Sequence, residues 1–210
     1  MLVPQKRFVA RDLAHIAIFA AFIAALGLPG AILIGPIGVS ITLQTLGVML
    51  AGAILGARKA AAAVLLFMVL VAAGLPLLSG GRGGLTWLTT APSAGYPYGW
   101  LLGALFIGYF TARILPRYPL PLALLITALG GIAVVYAVGI PVNWINISRN
   151  ASPADDKTFL FVLGQSAWFV LLDTVKVAVT VLIARQVHRA YPGLIAGATT
   201  MAPAFGTSRS

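Results

Sequence analysis

Apolar residues run along this chain in long, nearly unbroken stretches, interrupted by glycine, proline and short basic clusters rather than by a regular polar face. Runs of that kind, approaching 20 residues, read as membrane-crossing helices. Six are legible, at about 13–28, 41–57, 60–75, 98–115, 120–140 and 159–185. Leu28-Pro29-Gly30, Gly74-Leu75-Pro76, Leu115-Pro116 and Ile140-Pro141 punctuate the gaps, where proline lacks an N–H and glycine releases the backbone. The pattern predicts an all-α integral membrane protein. Its single domain, residues 1–190, is a bundle of six transmembrane helices, and 191–210, rich in Gly, Ala, Ser and Thr, is expected to be a disordered tail. The run after Lys6, Arg7 and Arg11 has the outline of a signal peptide, but in a chain this apolar it is read as a retained first span.

Composition sharpens the picture. The chain is 60% hydrophobic and 9% charged, where a soluble domain carries about a quarter charged residues. A net charge of +10 would suit nucleic-acid binding, but the basic residues sit between apolar runs instead of on one module. With the amino terminus inside, the inner side carries Lys6, Arg7, Arg11, Arg58, Lys59, Arg113, Arg117, Arg185, Arg189 and Arg209, ten in all, against three (Arg82, Arg149, Lys157) outside. Such a bias marks cytoplasmic loops and requires an even number of crossings with both termini in the cytoplasm. The partner it implies is a lipid bilayer, not a nucleic acid. The absence of cysteine excludes disulfides and thiolate chemistry. His15 and His188 have no second ligand at metal spacing, so no metal or cofactor is expected.

The segment 76–97 is too polar and too broken by glycine to span, and loops of that length tend to be binding loops or lids. It interleaves Trp87 and Tyr96 with glycines. Both aromatics fit either an interfacial belt, like Trp100 and Tyr109, or a pocket wall.

The strongest chemical signal lies in the last span. Asp173 and Lys176 stand inside an apolar run, where each charge costs about 2.5–3.5 kcal/mol on insertion scales. Three residues apart, they share a helix face and can touch; Trp168 lies on or near that face. A carboxylate accepts N–H donors and an ammonium serves an oxygen, so together they suit a small molecule offering both. A charge pair that merely fastens the bundle remains the alternative. In the first span Ala17, Ala21 and Ala25 recur every four residues, which permits close helix approach either within the bundle or to a separate membrane protein.

The run Ile41 to Gly56 followed by Arg58-Lys59, the segment Ala73-Gly74-Leu75-Pro76 with its glycine-rich sequel, Ala91-Pro92 through Gly95-Tyr96, and Asp173-x-x-Lys176 together resemble the BioY family of biotin transporters, over roughly residues 10–190. The resemblance implies the substrate-binding S component of an energy-coupling-factor (ECF) transporter in a bacterial cytoplasmic membrane. Its pocket would take biotin towards the outer face, covered by the loops after the first and third spans. It implies Asp173 and Lys176 as polar anchors and Arg82, Tyr96, Trp87, Gly84, Gln44 and Trp168 as further substrate-binding residues. Ala17, Ala21 and Ala25 become the docking face for a transmembrane coupling protein, with two separate cytoplasmic ATPase chains. No Gly-x-x-x-x-Gly-Lys-[Ser/Thr] loop is present in this chain. An S component for another vitamin such as thiamine or riboflavin, an intramembrane enzyme using Asp173 as a base, and a purely structural membrane subunit are the competing readings.

Overall fold

The computed structural model describes residues 8–28, 32–33, 40–150 and 159–195. Those residues are almost entirely helical. In chain order they form α1 (Ala10–Ala25), the short strands β1 (Ile32–Leu33) and β2 (Ser40–Ile41), α2 (Gln44–Leu55), α3 (Ala57–Ala72), a single-turn α4 (Thr86–Thr89), a 3-10 turn (Pro92–Ala94), α5 (Gly95–Ile114), α6 (Leu120–Ala128), a π-helical turn (Leu129–Val134), α7 (Val135–Asn150) and α8 (Phe159–Ala190). The strands pair antiparallel, Ile32 with Ile41 and Leu33 with Ser40, so α2 starts three residues later than its apolar pattern suggests.

Two rods are long and apolar enough to cross a membrane by length and composition: Leu120–Arg149, with mean hydropathy 2.3, and Phe159–Ala190, with 2.0. The others are shorter. With 12 residues, α2 is about 18 Å long at the α-helical rise. On α8, Leu160, Leu171, Val175 and Leu182 are 74, 62, 60 and 57% exposed, a row of large aliphatic side chains suited to acyl chains rather than water.

The packing centres on α5, which lies against α2, α3 and α7, while α8 crosses α2 and α6, and α1 leans on α3 and α2. Small residues make this closeness possible. A Cβ at Gly108 would overlap the backbone of Gly56 and Ala57, so α5 passes the α2–α3 corner with no side chain between. At that corner Gly56 has φ +78°, a left-handed conformation open to glycine at little cost.

The fifth apolar run was expected to end before Pro141, yet the rod continues through it to Asn150. Loss of a helical hydrogen bond at an interior proline costs about 3 kcal/mol. Contacts around it offset that cost: the Tyr96 ring lies against Gly139, Val142 packs on Gly95, and the Asn146 amide donates to the carbonyls of Thr89 and Ala91 at 3.2 and 2.9 Å.

The basic turns gather at one end of the bundle. Lys59 pairs with Asp12 at 3.3 Å and donates to the Leu194 carbonyl at 2.8 Å; His188 reaches the Ala53 carbonyl at 2.8 Å. Tyr191–Ile195 therefore do not begin a loose tail. Ile195 is only 5% exposed and covers Gly56. Residues 196–210 lie outside the described residues.

Candidate functional site

At the end opposite the basic turns, a cavity of about 710 Å³, its open mouth included, descends between α2, α5, the start of α7 and α8. Asp173 and Lys176 form its floor. They are the 15th and 18th residues of the 32-residue α8, so Asp173 lies about 21 Å from the helix start. Both are buried, at 4 and 8% exposure.

Local structure explains how the pair is held. Because α2 starts at Gln44, the Thr42 carbonyl is left out of the helical ladder, and it accepts from Lys176 Nζ at 2.6 Å. The same ammonium donates to Thr45 Oγ1 at 2.9 Å and to Asp173 Oδ1 at 2.6 Å. All three of its protons are thereby committed. The Thr45 hydroxyl in turn donates to Asp173 Oδ1 at 3.2 Å, and the Tyr136 hydroxyl donates to Oδ2 at 2.7 Å. A carboxylate has roughly four acceptor sites, so Oδ2 keeps one open. The floor thus presents a well-oriented acceptor rather than a free cation.

Aromatic side chains build the walls. Tyr96 meets Tyr136 edge-on with centroids 5.9 Å apart, and Trp100 stands beside Phe67 at 6.2 Å. The Tyr96 hydroxyl and the Trp100 indole N–H are buried with no hydrogen-bond partner, and both residues line the cavity. Buried donors without partners are rare because each costs about 1–3 kcal/mol. A ligand accepting from them removes that cost.

The rim comes from the segment after α3. Gly80 and Gly81 have φ +81° and +69°, which closes a tight turn and pairs Leu78 with Arg82 through backbone hydrogen bonds of 2.9 and 3.1 Å. This aims Arg82 at the mouth, with its guanidinium 4.7 Å above the Trp87 ring.

Of the residues expected at the site, Asp173, Lys176, Arg82, Tyr96 and Gln44 line the cavity. Trp87 does not; it supports Arg82 from behind. Nor is Gly84 among the lining residues. Its φ of +97° and its N–H, 2.7 Å from the Val71 carbonyl, finish the end of α3 instead. The side chain of Trp168 lies outside the described residues. Gln44 is present but occupied: its amide nitrogen donates to Ile23 and Leu77 carbonyls at 3.3 and 3.0 Å, and its oxygen accepts from the Ser79 N–H at 3.1 Å. It is a clip joining α1, α2 and the rim. Gln44→Met should therefore lower the thermal unfolding midpoint by several degrees, because three buried backbone groups lose partners at about 1–3 kcal/mol each; a melting curve unchanged from wild type would contradict this.

Thr45, Tyr136 and Trp100 were missed as site residues. Each is an ordinary residue in an apolar run, and Trp100 had been assigned to an interfacial belt. Only a signal of relative placement, such as Tyr136 reaching Asp173 across 37 positions, could have found them. Ala17, Ala21 and Ala25 are exposed on α1, while Ile16, Ala20 and Ile23 on the opposite face are buried.

Residues 4–193 match the BioY family model. The chain belongs to the BioY family. It is 46% identical over 187 residues to the biotin transporter BioY of Rhodobacter capsulatus, covering 88% of this chain and 97% of that one. With the biotin transporter BioY of Rhizobium etli it is 44% identical, covering 90 and 98%. Among solved structures, this BioY-family fold is similar to an S component for biotin from an ECF-type ABC transporter: TM-score 0.77, 30% identity, covering 87% of this chain and 95% of that chain. The family match, residues 4–193, takes in the cavity, its floor on α8 and the exposed face of α1.

Proposed function

We propose that this membrane protein captures biotin at the outer face of the bacterial cytoplasmic membrane and delivers it inward as the S component of an ECF transporter. The observation that carries the reading is the buried Asp173–Lys176 pair at the floor of an aromatic-walled cavity, in a chain of the BioY family. The chain is a transport subunit, not an enzyme. Biotin, which offers two ureido N–H groups, a ureido carbonyl, an apolar bicycle and a valerate carboxylate, suits the donors and acceptors present. The open position on Asp173 Oδ2 accepts a ureido N–H. Trp100 Nε1 and the Tyr96 hydroxyl serve ligand oxygens, and Arg82 at the mouth attracts the carboxylate. Lys176 holds Asp173 in place through their 2.6 Å contact. It reaches ligand oxygen only by giving up Thr42 or Thr45.

Six crossings with both termini inside belong to the same proposal, and the basic clusters between the apolar runs support them. Such crossings place the basic turns of α2–α3, α5–α6 and the end of α8 in the cytoplasm, the cavity outside, and the open alanine face of α1 in the bilayer. Small residues exposed there suit a closely approaching helix, supplied by a transmembrane coupling protein that two ATPase chains drive. No further cofactor enters this scheme.

The test is binding of labelled biotin to the purified chain, with thiamine and riboflavin as competitors. Biotin should bind at nanomolar concentration and neither competitor should displace it. Displacement by either vitamin would make the chain an S component for another ligand. Lys176→Met should cut uptake by an order of magnitude or more; uptake at the wild-type rate would reduce the pair to a structural fastening.

A further inference from the structure

A second hollow lies at the basic end, on the side away from the biotin cavity. Pro116, Arg117 and Tyr118, from the turn between α5 and α6, face Arg185, His188 and Arg189 of the last turns of α8 across a space of about 330 Å³. The spacing of the latter three puts them on one helix face. Among the described residues, none of the three arginines has an ion-pair or hydrogen-bond partner. Like charges gathered round one hollow repel one another.

Cations at the ends of α5 and α8 are favoured by the helix dipoles, which accounts for the charge alone. It does not account for Tyr118. That residue is 5% exposed, lines the hollow, and holds a φ of +42° that few non-glycine residues adopt. Its buried hydroxyl has no hydrogen-bond partner. Burial pushes the phenol up to about 12, so it keeps its proton and can donate. His188 is already engaged with the Ala53 carbonyl. Three unpaired guanidiniums and a waiting hydroxyl describe a receptor for a multi-oxygen anion, and planar guanidinium forks match phosphate oxygens.

The surroundings say where the phosphate comes from. Leu122 at the start of α6 and Leu182 and Ile183 on α8 are 42, 57 and 41% exposed. They lie one turn or less towards the apolar middle of the bundle and give acyl chains a surface directly beside the basic hollow. We infer that this hollow binds the phosphate of an anionic phospholipid of the cytoplasmic leaflet, with Arg117, Arg185 and Arg189 neutralising it and the Tyr118 hydroxyl donating to one of its oxygens. The assignment rests on the inside orientation given above and is independent of biotin recognition.

Thermal unfolding of the purified chain in detergent tests it, with phosphatidylglycerol, phosphatidylcholine or inorganic phosphate added separately. Phosphatidylglycerol should raise the midpoint by several degrees and phosphatidylcholine should not. The shift should vanish in the R117Q/R185Q/R189Q variant and persist in R11Q, which removes a cytoplasmic charge elsewhere. Y118F should melt no lower than wild type without lipid, since its hydroxyl is unpartnered, yet lose at least half of the phosphatidylglycerol shift. That split is one a purely packing role for the ring would not give, and it carries the test if the triple variant fails to fold. An equal shift from millimolar inorganic phosphate that competes with the lipid keeps the phosphate site and makes its source a soluble anion. A full shift retained by the triple variant, or lost equally in R11Q, overturns the proposal. So does a triple variant that keeps the shift but no longer copurifies with its coupling subunit, which would make the hollow a protein contact. Biotin binding, measured in parallel, should stay at the wild-type level in every variant.

Discussion

Asp173→Asn should weaken biotin binding by at least two orders of magnitude while the bundle stays folded. The substitution keeps the shape of the side chain but removes its charge, and buried Lys176 is left with neutral partners alone, the Thr42 carbonyl, the Thr45 hydroxyl and the new amide oxygen. Removing one member of a buried pair costs about 3–5 kcal/mol, and each 1.4 kcal/mol is about tenfold in affinity. An asparagine also presents an N–H2 where the ligand brings its own N–H, so one good acceptor becomes a clash of donors. Part of the cost falls on stability, which the double variant D173N/K176M separates: without the stranded ammonium it should melt near wild type yet still fail to bind. Isothermal titration with biotin, alongside melting curves, reads both. An Asn variant that binds within threefold of wild type would remove Asp173 from the site.

The second large effect concerns architecture. Gly108→Ala should destabilise the protein by about 1–3 kcal/mol, the usual cost of overpacking, and at the upper end of that range should leave little monodisperse material after extraction. The added methyl would meet backbone atoms of Gly56 and Ala57, not the tip of a side chain, so no rotamer change can relieve it. The α5 helix would have to move off the α2–α3 corner. A melting midpoint of this variant that coincides with wild type would contradict the close passage of α5.

The helical runs were legible because a chain that must hide its backbone in lipid leaves long apolar stretches, and Asp173 and Lys176 stood out because charge is costly there. What was not legible depends on which helices touch. Tyr136 and Thr45 carry no mark in their own runs; they matter because α7 and α2 bring them to α8. Among the rim glycines, sequence could not tell Gly84, which finishes α3, from Gly80 and Gly81, which turn Arg82 towards the mouth. Pro141 read as a stop because the local cost was visible and the compensating contacts from Gly95, Tyr96 and Asn146 were not. Gln44 was expected to touch ligand, whereas the backbone of two other segments uses up its amide.

That amide has a mechanical corollary. One planar group fastens the last turn of α1, the first of α2 and the strip at Leu77–Ser79, and hydrogen bonds weaken steeply once stretched beyond about 3.5 Å. A tilt of α1 larger than that margin must either drag the lip of the vestibule along or tear it loose. Whatever presses on the alanine stripe is therefore felt at the mouth of the cavity proposed for the vitamin.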